Sequence, residues 1–217
     1  MEPCPCKAPT SHWEALHREK AVDAVSWYRP HLDTSLRLIE EVASGRSAAI
    51  LDVGAGQSTL VDDLLLHGYE HITVLDIAQA ALDGTRQRLG AGAAQVRWLV
   101  GDVTKAELEP AAYDVWHDRG VFHFLTTAAD RAAYVRQVGR TLKAGGHIVI
   151  SAFALEGPRR CSGLDVVRYD AAALERVFGP AFRLVKTVEE NHPTPFGTMQ
   201  PFLYCCFRME AAVQGRL

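Results

Sequence analysis

The sequence contains no long apolar run, because no segment approaches the roughly 20 uninterrupted apolar residues that a membrane-spanning helix needs. Its start, "MEPCPCKAPTSHWEALH", also lacks the charged-then-apolar order of a secretory signal peptide. Positive charge is not in excess, since the formal net charge is −3. That balance disfavours a partner with an extended phosphate backbone or an anionic lipid surface. We therefore expect a cytoplasmic protein that binds neither nucleic acid nor a membrane.

Cysteine is scarce and odd in number, with five residues at positions 4, 6, 161, 205 and 206. This count suits reduced thiols better than a disulfide framework. Cys4 and Cys6 lie in a proline-rich stretch, residues 1–10, that we expect to be a disordered tail; two cysteines there fall short of a metal site, and we predict none. The remaining chain, from a sequence of 217 residues with 48% hydrophobic and 23% charged residues, is sized for one globular domain.

Two kinds of pattern follow one another along the chain. Residues 11–44 read as helical pieces broken at Pro30, and we expect them to form a lid over one end of a sheet. From residue 45 to the end, apolar strands alternate with amphipathic helices, which predicts a doubly wound, mostly parallel α/β sheet. The segments "FRLVKTVEEN" and "PFLYCCFRME" predict a closing antiparallel pair of strands.

The first strand-to-helix turn, within "AAILDVGAGQSTLVDDLLLHG" at 48–68, is the main candidate for a ligand site. In an open α/β sheet, ligands bind outside the carboxyl ends of the strands, where the strand order reverses. Asp52 closes the strand, and Gly54, Ala55 and Gly56 follow it. Glycines there let the backbone approach a ligand closely. A tight turn with no ligand is the structural alternative.

Two further acids end the next strands. Asp76 stands where a carboxylate accepts hydrogen bonds from the hydroxyls of an adenosine ribose, although capping the helix that starts near Ala78 is an alternative role. Dinucleotide-binding turns read G-x-G-x-x-G, and Thr59 occupies the third glycine position here, which disfavours a nicotinamide cofactor. Asp102 ends the third strand at the level where a carboxylate can meet an adenine amino group.

The series "ILDVGAGQSTL", "VLDIAQAAL", "LVGDVT" and "YDVWHDRGVFHFL" resembles the motifs of class I S-adenosylmethionine-dependent methyltransferases over about residues 45 to 155. The resemblance implies a seven-stranded sheet whose last strand is antiparallel, and S-adenosylmethionine as cofactor. Ser58 replaces the family's third glycine. By likeness the cofactor contacts are Asp52 and Gly54, Ala55 and Gly56 for the methionine part, Asp76 for the ribose, Ile77 for one adenine face, and Asp102 with Val103 for the adenine edge.

The methyl acceptor is less defined by the sequence. "HDRGVFHFL" lacks the Asn/Asp-Pro-Pro-aromatic run of many enzymes that methylate amino groups of bases. Its "DRG" resembles thiopurine S-methyltransferases and tellurite-resistance methyltransferases, which implies a small molecule with a thiol-type nucleophile. Together with "HWEALHREKAVDAVSWY" it also resembles protein-lysine methyltransferases, where Asp-Lys-Gly is usual. A non-catalytic nucleotide-sensing module is the third reading.

Around this run, His123 is the candidate base or positioning donor, with a purely structural histidine as the alternative. Asp118 is expected at the cofactor pocket, and an internal ion pair between Asp118 and Arg119 is the structural alternative. Trp27 and Tyr28 on the lid are candidates for contact with the acceptor. Arg119 and Arg168 would suit an anionic acceptor, solvated surface charge being the alternative for the latter.

Overall fold

The computed structural model describes residues 10–210 of the chain. The predicted tail lies outside these residues except for Thr10, where the first helix begins, and so do Cys4 and Cys6. The helices are α1 Thr10–Glu19, α2 Asp33–Val42, α3 Leu60–Leu66, α4 Gln79–Leu89, α5 Ala128–Thr141 and α6 Ala171–Phe178. The strands are β1 Ala49–Val53, β2 His71–Asp76, β3 Val96–Val100, β4 Tyr113–Arg119, β5 Leu142–Phe153, β6 Arg160–Cys161, β7 Leu164–Asp165, β8 Phe182–Pro193 and β9 Met199–Met209.

A seven-stranded sheet in the order β3-β2-β1-β4-β5-β9-β8 forms the centre of the molecule. The strands from β1 to β5 pair in parallel, whereas β9 is antiparallel to both β5 and β8. The predicted fold is therefore confirmed, including the antiparallel closing pair. The chain runs outward from β1 to β3 and then returns to β4 beside β1, so the strand order reverses between β1 and β4. A small hairpin of β6 and β7 was not predicted.

Each face of the sheet is covered by helices because side chains alternate along the buried strands. On β4, Trp116 packs with Tyr134 of α5, in one apolar cluster that also includes α6. Its neighbour Val115 belongs to the cluster on the opposite face, with Leu38 of α2 and residues of α3 and α4. Trp116, Val115, Tyr134 and Leu38 have no exposed surface.

The two N-terminal helices occupy different places, although the prediction assigned both to a lid. α2 lies on the sheet face, where Leu38 and Ile39 are buried against the core. α1 lies instead against α4. The Glu14 carboxylate of α1 accepts hydrogen bonds from the backbone N–H of Gln79 at 2.6 Å and of Ala80 at 3.3 Å. Of these two helices, only α1 therefore lies where the predicted lid was expected.

No helix within residues 10–210 is long and apolar enough to cross a membrane, and the cytoplasmic location stays a prediction. Cys161, Cys205 and Cys206 are buried free thiols in this part of the chain.

Candidate functional site

A cavity of about 170 Å³ lies at the carboxyl ends of β1, β2, β3 and β4, beneath α1 and the segment that follows it. This is the edge of the sheet at which the strand order reverses, as expected for a ligand site in an open α/β sheet. The predicted site residues that line the cavity are Asp52, Gly54, Ala55, Gly56, Asp76, Ile77, Asp102, Val103, Trp27, Tyr28, Arg119 and His123.

The glycine turn requires the absence of side chains for two reasons. Gly54 and Gly56 have φ values of 59° and 57°, a region that residues with a side chain rarely adopt. A Cβ on Gly54 would also lie 1.9 Å from Cγ2 of Val121. The turn is held to the neighbouring strand by the backbone N–H of Gly54, which donates to the carbonyl of Leu75 at 2.7 Å.

Asp76 fixes the same turn from β2. Its carboxylate accepts hydrogen bonds from the backbone N–H of Gly56 and of Ala78, both at 2.8 Å. The side chain is buried, and burial raises the pKa of this carboxyl to about 6 against the opposing effect of these hydrogen bonds. Asp76 thus joins the start of α4 to the glycine turn and also lines the cavity.

Asp52 forms a buried pair with a residue that the sequence analysis did not select. Its Oδ1 lies 2.7 Å from Nδ1 of His117 on β4, and both side chains are almost completely buried. The other carboxylate oxygen, Oδ2, is buried without a hydrogen-bond partner in residues 10–210. Both residues line the cavity.

Asp102 lines the cavity from the loop after β3. Its Oδ1 accepts hydrogen bonds from the backbone N–H and the hydroxyl of Thr104, at 2.9 and 2.8 Å. Ile77 and Val103 supply apolar surface on either side of this part of the cavity.

The half of the cavity beyond β4 is aromatic. The ring of His123 lies 4.5 Å from that of Phe124 and 4.7 Å from that of Phe153, measured between centroids. Both imidazole nitrogens are buried and lack a partner among residues 10–210. Burial, and then the nearby charge of Arg119, lowers the pKa of His123 to about 3. His123 is accordingly a neutral imidazole at physiological pH.

Arg119 is the charged group of this aromatic half. Its guanidinium lies 4.8 Å from the ring centroid of Phe202, and Nη1 donates to the carbonyl of Trp27 at 3.1 Å. Nη2 is 3.7 Å from the Glu190 carboxylate, which is therefore its ion-pair partner rather than Asp118. Arg119 thus joins the end of β4 to the segment that covers the cavity.

Asp118 does not line the cavity, in contrast to the prediction. Successive side chains of a strand point to opposite faces, and Asp118 faces α5 while His117 faces the other side. Its carboxylate accepts a hydrogen bond of 2.6 Å from the Tyr134 hydroxyl and one of 2.8 Å from the backbone N–H of Val121. Burial raises the pKa of Asp118 to about 6. The position of this side chain indicates a structural role in shaping the turn after β4.

Arg168 also lies away from the cavity lining. Its guanidinium donates to the backbone carbonyls of Leu155 and Gly157, so it stabilises the loop after β5. This local role replaces the predicted contact with an acceptor.

Several lining residues were missed. His117 could have been selected from the sequence, because a histidine inside an otherwise apolar central strand needs a buried partner. The sequence offers no comparable indication for Phe153, Phe202 and Cys161. These residues reach the cavity only through the pairing of β5 with β9 and through the β6–β7 hairpin. In residues 10–210 no cluster of three or more histidine, cysteine or acidic side chains is arranged to hold a metal ion.

Residues 50–146 match a family model described as a methyltransferase domain. The eEF1A lysine and N-terminal methyltransferase of Mus musculus is 24% identical over 149 residues, which cover 66% of this chain and 21% of that protein. The chain therefore spans 21% of the length of this relative.

Solved structures with the same fold include two methyltransferases. The N-methyltransferase NodS of Bradyrhizobium japonicum, in complex with S-adenosyl-l-homocysteine, superposes with a TM-score of 0.71 at 18% identity, covering 92% of this chain and 99% of that one. The 1,6-didemethyltoxoflavin-N1-methyltransferase of Burkholderia thailandensis superposes with a TM-score of 0.67 at 20% identity, covering 96% and 93%. At these identities the likeness shows the fold.

Proposed function

The chain carries a class I S-adenosylmethionine-dependent methyltransferase domain, and from that premise we propose that it methylates a small-molecule acceptor that is neutral or anionic. The observation that carries the proposal is the division of charge across the cavity. Its lining carboxylates, Asp52, Asp76 and Asp102, lie at the carboxyl ends of β1, β2 and β3, whereas Arg119 and His123 lie at and just beyond the end of β4.

S-adenosylmethionine fits the carboxylate half. Asp52 has a buried oxygen free for a donor, and Gly54 and Gly56 bring no side chain of their own into the turn that follows it. We assign the methionine part to Asp52 and the Gly54–Gly56 turn, and the ribose to Asp76. The adenine then falls to Ile77, Val103 and Asp102. Bound there, the cofactor supplies a methyl group already activated by a sulfonium.

The aromatic half is then left for the acceptor. Rings of Trp27, Phe124, Phe153 and Phe202 bound it, and Arg119 is a charged residue of its lining, paired with Glu190 at 3.7 Å. A lysine ammonium entering this half would meet the Arg119 guanidinium, whereas Glu190, which offsets that charge, does not line the cavity. A neutral or anionic acceptor meets no such opposition.

The state of His123 favours a nucleophile that needs no protein base. A histidine with a pKa of about 3 is a poor proton acceptor near neutral pH, because catalytic bases work best when their pKa lies near the operating pH. Thiols ionise readily on their own and are strong nucleophiles once deprotonated. We therefore favour a thiol-type acceptor, with His123 as a positioning group whose unpaired ring nitrogens hydrogen-bond it.

The second candidate function is methylation of a protein lysine. Its support is the name of the mouse relative, which is a lysine and N-terminal methyltransferase over a much longer chain. Arg119 in the acceptor half argues against it.

Methyl-labelled S-adenosylmethionine separates these candidates. The purified protein is incubated with the labelled cofactor and a cell extract divided into small-molecule and protein fractions. We expect label in small products, and subsequently in the S-methyl products of a thiol panel. The Asp76→Ala variant, with its cofactor site impaired, is the matched control and should lose the label in parallel. Label on a protein band would instead support lysine methylation, and cofactor binding with no label in either fraction would favour a non-catalytic sensing module.

A further inference from the structure

A continuous chain of buried hydrogen bonds runs behind the cavity, from the cofactor turn to the segment that covers it. It begins with the 2.7 Å contact between Asp52 Oδ1 and His117 Nδ1. His117 Nε2 lies 2.9 Å from the hydroxyl of Ser35 on α2, and that hydroxyl lies 3.3 Å from the hydroxyl of Tyr204 on β9. Arg119 closes the chain, since its Nε donates to Tyr204 at 3.1 Å.

The donors along this chain can be assigned from its two ends. Arg119 has only N–H donors, so the Tyr204 oxygen accepts from it and the Tyr204 proton is free for Ser35. At the other end the ionised Asp52 carboxylate only accepts, so Nδ1 of His117 must donate to it. In the neutral tautomer with its proton on Nδ1, the remaining nitrogen, Nε2, accepts from the Ser35 hydroxyl. With this tautomer, the protons of the hydrogen-bond chain all point toward Asp52.

Asp52 keeps the His117 proton on Nδ1, and Ser35 contacts Nε2 on the opposite side of the ring. Without the Ser35 hydroxyl, Nε2 loses this partner and hydrogen bonds hold the imidazole from one side only. The ring is then less well oriented toward Oδ1 of Asp52. The second carboxylate oxygen, Oδ2, is buried without a hydrogen-bond partner in the described part of the chain, and Asp52 lines the cavity.

We propose that His117 is a positioning residue for the cofactor carboxylate Asp52, with its ring orientation held through Ser35 and Tyr204. This inference rests on the proposed function in one respect, that the methionine part of the cofactor lies against Asp52. Arg119 also donates to the Trp27 carbonyl. The series of hydrogen bonds therefore connects Asp52 to the segment that covers the cavity.

Ser35 and Tyr204 allow a clean test because neither lines the cavity. Ser35→Ala and Tyr204→Phe each remove one hydroxyl and leave the carbon framework intact. We expect the Kd for S-adenosylhomocysteine, measured by isothermal titration calorimetry, to rise about three- to tenfold in Ser35→Ala, the size of one net hydrogen bond. Tyr204→Phe should have a smaller effect, about two- to threefold, because Ser35 can still donate to His117.

Tyr113→Phe is the matched control. Tyr113 is buried, and its hydroxyl has no hydrogen-bond partner in residues 10–210. Its removal should leave the Kd unchanged. An unchanged Kd in Ser35→Ala as well would overturn the proposal.

His117→Asn separates positioning from general loosening of the structure. An asparagine amide can donate to Asp52 without help from Ser35, so this variant should retain most of the affinity that His117→Leu loses. In the His117→Asn background, adding Ser35→Ala should no longer change the Kd, although its effect on the midpoint of thermal unfolding should persist. An equal loss of affinity in both backgrounds would mean that Ser35 acts only through stability, which also overturns the proposal.

These binding measurements use no methyl acceptor. They therefore remain a valid test even if the proposed class of acceptor is wrong. If wild-type protein fails to bind S-adenosylhomocysteine, both this inference and the proposed function are wrong. If it binds and the variants do not differ, only the inference is wrong.

Discussion

The Asp76 carboxylate combines two demands that conflict energetically. It must accept hydrogen bonds as a charged group, yet it is only 5% exposed, and its pKa is raised to about 6 from an ordinary value of 3.8. The folded state therefore binds a proton more tightly than the unfolded state does. Its contribution to stability is greatest below pH 3.8 and is lost as the pH rises through about 6. At neutral pH the ionised, buried Asp76 carboxylate therefore lowers the stability of the protein.

The first prediction concerns this conflict. In Asp76→Asn, the free energy of binding of S-adenosylhomocysteine at pH 8 should weaken by about 1–3 kcal/mol, as expected for hydrogen bonds to a charged group. The stability of wild type relative to this variant, from urea unfolding without ligand, should decline between pH 4 and 6, because only wild type carries the raised pKa. Asp83→Asn, an exposed change on α4, is the control and should alter neither quantity. Unchanged affinity in Asp76→Asn would remove Asp76 from the cofactor site.

His123 provides the second prediction at the residue scale. Because its pKa is lowered to about 3 by burial and by Arg119, His123 cannot produce an ionisation in the pH–rate profile near neutral pH. With an acceptor found as described above, His123→Ala should raise KM for that acceptor and reduce kcat by less than about 100-fold, the lower bound of general base catalysis. The shape of the profile between pH 6 and 8 should be retained. A larger fall in kcat together with the loss of an ionisation in that range would identify His123 as the base.

At the scale of elements, α1 depends on α4 for its position. The Glu14 carboxylate accepts hydrogen bonds from the first backbone N–H groups of α4. Glu14 thus caps α4 from a distant part of the sequence, whereas the capping residue is usually the one next to the helix start. Favourable interaction with the helix dipole adds to the contact. Because α1 also lines the cavity through Trp13, Leu16 and His17, the contact fixes the position of α1 over the cavity.

The third prediction tests this contact. Glu14→Ala should reduce the free energy of unfolding by about 0.5–2 kcal/mol, the range for loss of a helix cap. Hydrogen exchange of residues 10–28 should increase more than that of the sheet, since the cover opens without unfolding the core. Glu19→Ala, an exposed change at the end of α1, is the control. Equal protection of residues 10–28 in both variants would contradict a role for Glu14 in holding the cover.

Strands and helices could be predicted from the sequence where the local pattern of apolar residues determines them. The alternation of apolar strands and helices indicated every strand of the large sheet, and the acids at the ends of β1, β2 and β3 indicated the half of the cavity to which we assign the cofactor. The placement of Asp118 was not predictable from its motif alone, since its face depends on the register of β4. His117, Ser35 and Tyr204 come from three elements and meet only through packing, which no local spacing expresses. α2 was assigned to the lid because its apolar stripe does not say which surface it covers.

At the scale of the whole molecule, we relate the kind of ligand that the cavity can bind to the positions of the charged side chains at the edge of the sheet. The strand order brings three carboxylates from β1, β2 and β3 to one side of the reversal point and the aromatic, cationic set from β4, β5 and β9 to the other. A ligand with hydroxyls and an ammonium group fits the first side. Dinucleotide-binding turns carry a third glycine, which lets the following helix pack closely on the strand, and Thr59 stands at that position here.

The fourth prediction therefore compares two ligands on the intact protein. A ligand that binds only the folded state stabilises it by RT ln(1 + [L]/Kd), about 2.7 kcal/mol at a concentration of 100 times Kd. For a chain of this size, 1 kcal/mol corresponds to about 2–4 °C, so S-adenosylhomocysteine at that concentration should raise the midpoint of thermal unfolding by about 5–10 °C. NAD at the same concentration should leave it unchanged. In Asp76→Asn the shift should shrink at equal ligand concentration, because Kd rises while the fold is retained. Protection by NAD alone would mean that the carboxylates at the ends of β1 to β3 serve a different nucleotide, and the division of the cavity into cofactor and acceptor halves would be wrong.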